Sequence, residues 1–237
     1  MNDFSSLLKK TAEDFEINLS DEQLEKFNIY YELLVEWNEK MNLTALTAPY
    51  DVALKHFCDS LMMTKFVDIK ENATMIDIGT GAGFPGIPLK IFRNDINLTL
   101  LDSLNKRLVF LKEVCDRLSI DAKLIHSRAE DGAKSPELRE KFDIATSRAV
   151  ASLPVLCEYC LPYVKVGGQF VSYKGKDAEE ELDSAKPAIK ILGGKTRSVD
   201  KFDLADAGER CIISIDKREK TPKAYPRPTA KIKQKTL

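Results

Sequence analysis

A glycine-rich loop at residues 75–88, MIDIGTGAGFPGIP, follows a short apolar run and has the residue types and spacing of a binding site. Gly79, Gly81, Gly83 and Gly86 lie within eight residues of one another. Because glycine lacks a Cβ, such a loop can turn sharply and bring its backbone against a ligand. The pattern predicts a bound ligand. The loop holds either the pyrophosphate of that ligand or, if the ligand carries no phosphate, another of its groups.

Asp102 ends a second apolar run, INLTLLD. In parallel sheets, ligands bind outside the carboxyl ends of the strands, where the strand order reverses. We therefore expect the glycine loop and Asp102 to lie side by side. A carboxylate there can accept two hydrogen bonds from the hydroxyls of a ribose, so the pair predicts a ligand that contains a nucleoside.

Two classes of nucleoside ligand fit these residues. Gly81-Ala-Gly83-Phe-Pro-Gly86 matches G-x-G-x-x-G, and Asp102 follows at roughly 20 residues, as in NAD sites. Asp77 precedes the first glycine by two residues and is expected at the mouth of the site. Its carboxylate would repel a pyrophosphate but attract the ammonium and sulfonium of S-adenosylmethionine. Charge favours S-adenosylmethionine, with NAD as the alternative.

The elements that must position these residues alternate along the chain from about residue 73. Apolar runs typical of strands, separated by helical or irregular segments, are TMIDIG, INLTLLD, AKLIHS, FDIATS and GQFVSY. This alternation predicts a parallel sheet with helices on both faces. Two later runs, KTRSVDKFDL and ERCIISID, predict an antiparallel hairpin at the sheet edge. Ser103 is the expected N-cap of the helix after Asp102.

The first 45 residues predict helices. Ser20 and Gln23 have the spacing of a capping box, and apolar residues follow at steps of three and four. The expected buried face consists of Leu24, Phe27, Tyr31, Leu34, Trp37 and Met41. A shorter preceding helix is expected to bury Phe4, Leu7, Leu8, Thr11 and Phe15. We place a helical extension at 1–70, the sheet-containing core at 71–216 and a basic tail at 217–237.

The composition is that of an ordinary soluble globular protein, with 43% hydrophobic and 31% charged residues among 237. We expect neither a signal peptide nor a membrane span, and a cytoplasmic location. The five cysteines are expected to be reduced thiols, with Cys157 and Cys160 packed in a buried helix. Only two histidines are present, which argues against a zinc site, and no metal is expected.

Charge is distributed unevenly along the chain. Residues 1–50 contain ten acidic and four basic side chains, whereas residues 217–237 contain eight basic and one acidic. A concentrated basic segment can bind phosphates even in a neutral protein. The alternative is a solvated, disordered end.

Seven segments between residues 42 and 175 together resemble one known family. In order they are NLTAL, HFCDSL, MIDIGTGAGFPGIPL, LLDSLNKRLVFL, SRAED, SRAVASLPVL and YKG. They resemble the bacterial ribosomal RNA small-subunit guanine-N7 methyltransferases, also called glucose-inhibited division protein B. The resemblance implies an α/β, Rossmann-like methyltransferase fold with a mostly parallel seven-stranded sheet. It also implies methyl transfer from S-adenosylmethionine to N7 of a guanine in 16S ribosomal RNA.

Matching motifs assign site residues to this chain. The resemblance implies that Gly79, Phe84, Asp102, Ala129, Glu130 and Arg148 bind the methyl donor. The charge and glycine spacing described above add Asp77, Gly81 and Gly83 to the expected donor site. Within this set Asp102 would hold the ribose, and Ala129 with Glu130 would border the adenine. Phe84 alternatively packs the loop, and Glu130 alternatively caps the following helix.

Arg148 follows the strand-like run FDIATS and is the expected catalytic residue, where donor and guanine meet. We predict that it positions the guanine, through O6 or a nearby phosphate; the alternative is a surface ion pair. His56 either closes the extension over the donor pocket or is a plain buried histidine. In the tail, the candidate RNA-binding residues are Arg227, Lys231 and Lys233.

Missing motifs restrict the chemistry. The chain lacks the [DNS]-P-P-[YFW] motif typical of adenine amino methylation, and it has no cysteine at residues 146–152 for attack on a pyrimidine carbon. Guanine N7 already has a lone pair, so alignment with the methyl group suffices. The expected partner is the small ribosomal subunit or its precursor, and the expected enzyme is a monomer. The rival functions are an NAD-dependent oxidoreductase and a non-catalytic rRNA-binding or assembly factor.

Overall fold

A seven-stranded sheet forms the centre of the molecule, as a computed structural model that describes residues 3–237 shows. The strands are β1 (Thr74–Ile78), β2 (Asn97–Asp102), β3 (Ala122–His126), β4 (Phe142–Arg148), β5 (Val164–Lys174), β6 (Gly194–Asp203) and β7 (Glu209–Lys217). Their order in the sheet is β3-β2-β1-β4-β5-β7-β6. Strands β1 to β5 are parallel, and β7 pairs antiparallel with β5 and β6. The mostly parallel sheet and the edge hairpin are therefore confirmed.

Helices cover both faces of the sheet. They are α1 (Asp3–Glu13), α2 (Asp21–Met41), α3 (Pro49–Asp51), α4 (Asp59–Leu61), α5 (Met63–Phe66), α6 (Gly86–Phe92), α7 (Asn105–Leu118), α8 (Ala129–Gly132), α9 (Leu153–Cys160), α10 (Ala178–Ile191) and α11 (Thr229–Gln234). Adjacent strand residues contribute to opposite cores: Leu100 packs in one cluster and Leu101 in the other. The strands are apolar on both faces because each face is covered.

The N-terminal helices match most of their predicted features. Ser20 accepts a hydrogen bond from the Gln23 amide, and the Gln23 side chain accepts one from the Ser20 amide, so the capping box is confirmed. In α2 the fully buried tyrosine is Tyr30 rather than the predicted Tyr31. Phe15 lies beyond the end of α1, because that helix ends at Glu13.

A π-helical segment, Val52–Cys58, connects α3 to α4. Such wide turns are rare and occur mainly at functional sites. This one directs His56 and the following Asp59 toward the carboxyl end of β4, where Arg148 lies. The extension therefore supplies side chains to the sheet edge where ligands bind.

The extension shares its core with one face of the sheet. The Tyr30 hydroxyl donates to the Ala82 carbonyl within the glycine loop, and the Gln23 side chain donates to the Phe92 carbonyl at 3.0 Å. The bounds 1–70, 71–216 and 217–237 stay predictions.

Cys157 and Cys160 are fully buried in α9, which confirms the predicted packing role. Burial raises the pKa of both thiols. None of the helices in residues 3–237 combines the length and the apolar character needed to cross a membrane.

Candidate active site

The glycine loop leaves β1 at Ile78 and adopts left-handed backbone angles, with φ of +70° at Gly79, +62° at Gly81 and +99° at Gly83. At Gly81 an added Cβ would meet nothing closer than a backbone oxygen at 4.0 Å, so space is open above its backbone. At Gly83 an added Cβ would lie 2.6 Å from the Tyr30 hydroxyl. Gly81 thus leaves room for a ligand, whereas Gly83 allows the extension to pack closely.

Asp77 lies beneath this loop and is fully buried. One of its oxygens, Oδ2, accepts hydrogen bonds from the Thr80 hydroxyl at 2.7 Å and the Gly86 amide at 2.9 Å. The prediction that Asp77 lies at the mouth of the site is therefore wrong, because the carboxylate holds the turn together from inside. Its other oxygen, Oδ1, is buried and has no hydrogen-bond partner among residues 3–237. Burial raises the pKa of Asp77 to about 6.

Asp102 lies beside the glycine loop, as predicted. Its Oδ2 accepts hydrogen bonds from the Gly81 amide at 2.9 Å and from Arg107 at 3.2 Å. Its Oδ1 accepts one from the Leu104 amide at 2.9 Å. The prediction of Ser103 as an N-cap is wrong: α7 begins at Asn105, and Asp102 instead binds the amide of the cap residue, Leu104.

Two adjoining cavities open at the carboxyl ends of β1, β2 and β4. The first, which we call the loop cavity, is lined by Thr44, His56, Gly81, Phe84, Asp102 and Arg148. The second, the tail cavity, is lined by Ala129, Glu130, Val155, Tyr159, Thr229 and Lys233. Gly79, Ser103 and Val150 line both. The structure thus brings together the predicted donor residues except Asp77 and Gly83, which line neither cavity.

Arg148 ends β4 and is largely buried beneath the extension. Its Nη1 lies 2.7 Å from a carboxylate oxygen of Asp59, and the two side chains are 12% and 9% exposed. The guanidinium carbon lies 5.0 Å from the centre of the Phe84 ring. Arg148 is therefore part of a buried ion pair and not of a surface one. Sequence analysis missed Asp59, although the segment HFCDSL that contains it is part of the family resemblance.

His56 stacks on Phe84, with ring centres 4.6 Å apart and planes 14° apart. Its Nε2 is 2.9 Å from the Thr44 hydroxyl. Burial and the nearby Arg148 lower the pKa of His56 to about 3, so the imidazole is neutral at physiological pH. His56 lines the loop cavity, and closure of the extension over a bound donor stays a prediction. Phe84 both lines this cavity and packs against Tyr30, with ring centres 5.5 Å apart.

The C-terminal segment packs against α9, so the alternative of a disordered end is wrong. Ile232 of α11 is completely buried in one core cluster, and Leu237 packs against that cluster. The Thr229 hydroxyl donates a hydrogen bond to Glu130, whose side chain does not cap α8. The segment thereby forms one wall of the tail cavity.

Arg227 has a different partner from the predicted phosphate. Its Nε and Nη2 donate to the Glu158 carboxylate at 2.9 and 2.7 Å, and its backbone amide donates to the same carboxylate at 2.7 Å. Glu158 is 1% exposed, so this is a buried bidentate pair that anchors the tail. Lys231 and Lys233 are exposed, and their contact with RNA stays a prediction.

Comparisons with known proteins agree on one family. The family model described as rRNA small subunit methyltransferase G matches residues 23–211. A protein of Clostridium perfringens (strain 13) named ribosomal RNA small subunit methyltransferase G is 47% identical over 237 residues, covering 99% of both chains. A protein of the same name from Desulforamulus reducens is 50% identical over 229 residues, covering 96% of this chain and 95% of its own.

Solved structures of methyltransferases share the fold at low sequence identity. M. jannaschii TYW2 in complex with AdoMet has a TM-score of 0.54 at 13% identity, over 67% of this chain and 76% of its own. A SAM-dependent methyltransferase from Aquifex aeolicus has a TM-score of 0.53 at 16% identity, over 69% of this chain and 92% of its own. These similarities confirm the predicted Rossmann-like methyltransferase fold.

Proposed function

The chain belongs to the ribosomal RNA small subunit methyltransferase G family, and on that premise we propose that it transfers a methyl group from S-adenosylmethionine to N7 of a guanine in 16S ribosomal RNA. The observation that supports this most directly is the open backbone above Gly81, beside the Asp102 carboxylate in the loop cavity, which adjoins the tail cavity. A ribosomal partner implies action in the cytoplasm. A monomer stays our prediction.

The residues present fit S-adenosylmethionine, which supplies a methyl group activated by a sulfonium. The unpartnered, buried Oδ1 of Asp77 needs a donor, because a buried polar atom without a hydrogen bond is costly. We propose that the ammonium of the donor's methionine part satisfies it, directly or through water. Asp102 would accept hydrogen bonds from the ribose hydroxyls, which would replace its longer hydrogen bond from Arg107. Ala129 and Glu130 would border the adenine in the tail cavity.

Methyl transfer to N7 requires alignment of the reacting atoms and no general base. His56 is neutral, and with its low pKa it is a poor proton acceptor. The Arg148 guanidinium has N–H donors and no acceptor atom. Neither residue can deprotonate a substrate, and N7 requires no deprotonation. The protein instead has to hold N7, the methyl carbon and the sulfur in line, with the reacting atoms about 3 to 3.5 Å apart.

Asp59 explains how a cation can lie beside a site whose product is also a cation. Methylation leaves a positive charge on the guanine, which Arg148 alone would repel. The Asp59 carboxylate at 2.7 Å neutralises Arg148, so the pair can position the base without opposing the charge that develops. This supports a positioning role for Arg148.

Donor affinity is expected to rise with pH up to about 6 and then to level off. In the free protein the pKa of Asp77 is raised to about 6, so below that pH the carboxyl is increasingly protonated and cannot attract an ammonium. Asp77→Asn should lower donor affinity by about tenfold or more, as expected for a lost charge-assisted hydrogen bond, and flatten the profile. Calorimetric titrations with S-adenosylmethionine between pH 5 and 8 measure both effects.

Asp116→Asn is a matched control for this series, because Asp116 lies exposed on α7 and Lys112 is its one ion-pair partner among residues 3–237. An Asp77→Asn protein with the affinity and pH profile of the parent would contradict the proposed contact.

Transfer of labelled methyl groups tests the function itself. Naked 16S rRNA, precursor particles and finished small subunits, all from cells that lack this protein, are offered with labelled S-adenosylmethionine. We expect label in 16S rRNA from at least one substrate, and none with particles from cells that contain the protein. Donor binding without transfer to any of the three would favour the rival, a non-catalytic assembly factor. Family membership argues against the other rival, an NAD-dependent oxidoreductase.

A further inference from the structure

A third cavity, which we call the basic cavity, opens beside Arg148, where the carboxyl end of β5 meets the beginning of β7. Its charged lining consists of Lys55, Asp59, Arg148, Lys174, Glu181 and Arg210. It shares His56 and Arg148 with the loop cavity and Val150 with both other cavities. A group bound in the basic cavity would therefore lie next to a methyl group held in the loop cavity.

The charges of this cavity favour an anionic ligand. Four of its side chains are cationic, and three of these already pair with carboxylates; Lys55 pairs with Asp51 at 2.6 Å. Asp59 pairs with Arg148, and Glu181 pairs with Lys174, both at 2.7 Å. Arg210 is half-buried, and no acidic side chain of residues 3–237 lies within ion-pair distance of it; its Nη1 donates to the Glu209 carbonyl at 3.1 Å. Its guanidinium thus has free donors for a phosphate.

We propose that the basic cavity receives the acceptor guanosine of the RNA, with Arg210 binding a phosphate next to that nucleotide. This inference rests on the proposed methyl transfer to guanine and names the place where its acceptor binds. The base must leave any stacked structure to reach a recessed cavity, as is common for enzymes that modify bases.

Glu181 supplies a feature that suits guanine in particular. Its Oε2 accepts hydrogen bonds from Lys174 and from the Leu153 amide, at 2.7 and 2.6 Å. Its Oε1 makes no hydrogen bond within residues 3–237, so a lone carboxylate oxygen remains. Guanine presents N–H donors at N1 and N2 on the edge opposite N7, whereas adenine presents an acceptor at N1. A guanine bound to Glu181 by that edge would direct N7 away from Glu181 and toward the donor.

Two side chains that line the basic cavity also bind the segment between this cavity and the donor site. Val150 lies against Gly79, where an added Cβ would be 2.7 Å from its Cγ2. The Lys174 ammonium donates to the Ala151 carbonyl at 2.8 Å, and Glu181 binds the Leu153 amide. Lys174 and Glu181 therefore fix both ends of the segment that separates the two cavities.

Arg210→Ala tests this site, because the side chain has no structural ion pair to lose. With small subunits from cells lacking this protein, we expect KM for the subunit to rise about tenfold while kcat changes little. Donor affinity should be unchanged. The log–log dependence of subunit affinity on salt should become shallower by about one unit, the effect of one lost phosphate contact. Arg210→Lys should recover most of the affinity, because it restores the charge.

Arg218→Ala is the matched control at the other end of the same strand. Cys211 pairs with Lys174 at the carboxyl end of β5, whereas Asp216, the ion-pair partner of Arg218, pairs with Gln169 in the middle of β5. We expect this variant to behave as wild type. An unchanged KM and salt slope for Arg210→Ala, with active wild-type enzyme, would overturn the acceptor site alone. Absence of transfer by wild-type enzyme would overturn the proposed function and this site with it.

Discussion

Arg148→Ala is expected to lower the rate of methyl transfer by at least about 100-fold, the cost of misplacing reacting groups by about 1 Å. Arg148 contacts both Asp59 and the Phe84 ring at the boundary between the loop cavity and the basic cavity. Its removal leaves the Asp59 carboxylate buried without a counter-charge. The free energy of unfolding should therefore also fall by about 3–5 kcal/mol. Turnover of small subunits and urea unfolding measure the two effects.

A second variant separates catalysis from stability. In the double variant Arg148→Ala, Asp59→Ala no buried charge remains unpaired, so most of the lost stability should return. Turnover should stay low, because the group that positions the guanine is still missing. Arg148→Lys keeps the charge but loses the planar contact with Phe84, and we expect an intermediate rate. Normal turnover in Arg148→Ala would contradict the positioning role.

Arg227→Ala is expected to destabilise the protein by about 3–5 kcal/mol, because the fully enclosed Glu158 loses its bidentate partner. The tail that Arg227 anchors forms one wall of the tail cavity through Thr229 and Lys233. Donor affinity should therefore fall together with stability. Urea unfolding with and without S-adenosylmethionine measures both effects on the same sample.

Two controls identify the cause of this loss. Lys235→Ala removes another cationic but exposed side chain of the tail and should leave unfolding unchanged. Replacing both partners with apolar residues, Arg227→Met with Glu158→Leu, should restore much of the stability, because no buried charge then remains unpaired. Unchanged unfolding of Arg227→Ala, with a loss confined to RNA affinity, would instead support the phosphate contact expected from sequence.

Local patterns predicted the sheet and its ligand-binding edge well. The apolar runs that end in Gly79 and Asp102 became β1 and β2, and their ends lie together as the parallel arrangement requires. The capping box at Ser20 was equally visible, because its residues are only three apart. Features set by neighbours in the chain could thus be predicted from sequence.

Partnerships across the chain could not be predicted in the same way. Asp59 and Arg148 are 89 positions apart, and Glu158 and Arg227 are 69 apart. In a sequence, a charged residue that will be buried in a pair resembles one that will remain in water. The tail was therefore expected to be a set of phosphate ligands or a free end, whereas Arg227 and Ile232 fasten it to the core.

The burial of Asp77 could not be predicted from the sequence for a related reason. Its position before the first glycine predicts a role in the donor site, but not which way its carboxylate points. The turn requires an acceptor for the Thr80 hydroxyl and the Gly86 amide, and Asp77 supplies it from below. Only its second oxygen is left without a partner among residues 3–237.

Nucleoside mass spectrometry of small-subunit rRNA tests the central claim most directly. Subunits from cells that lack this protein are incubated with the purified protein and S-adenosylmethionine, then digested to nucleosides. Methyl transfer to one guanine N7 predicts one additional 7-methylguanosine per subunit, absent when either the protein or the donor is omitted. A different methylated nucleoside, or no gain of 7-methylguanosine despite demonstrated donor binding, would contradict it.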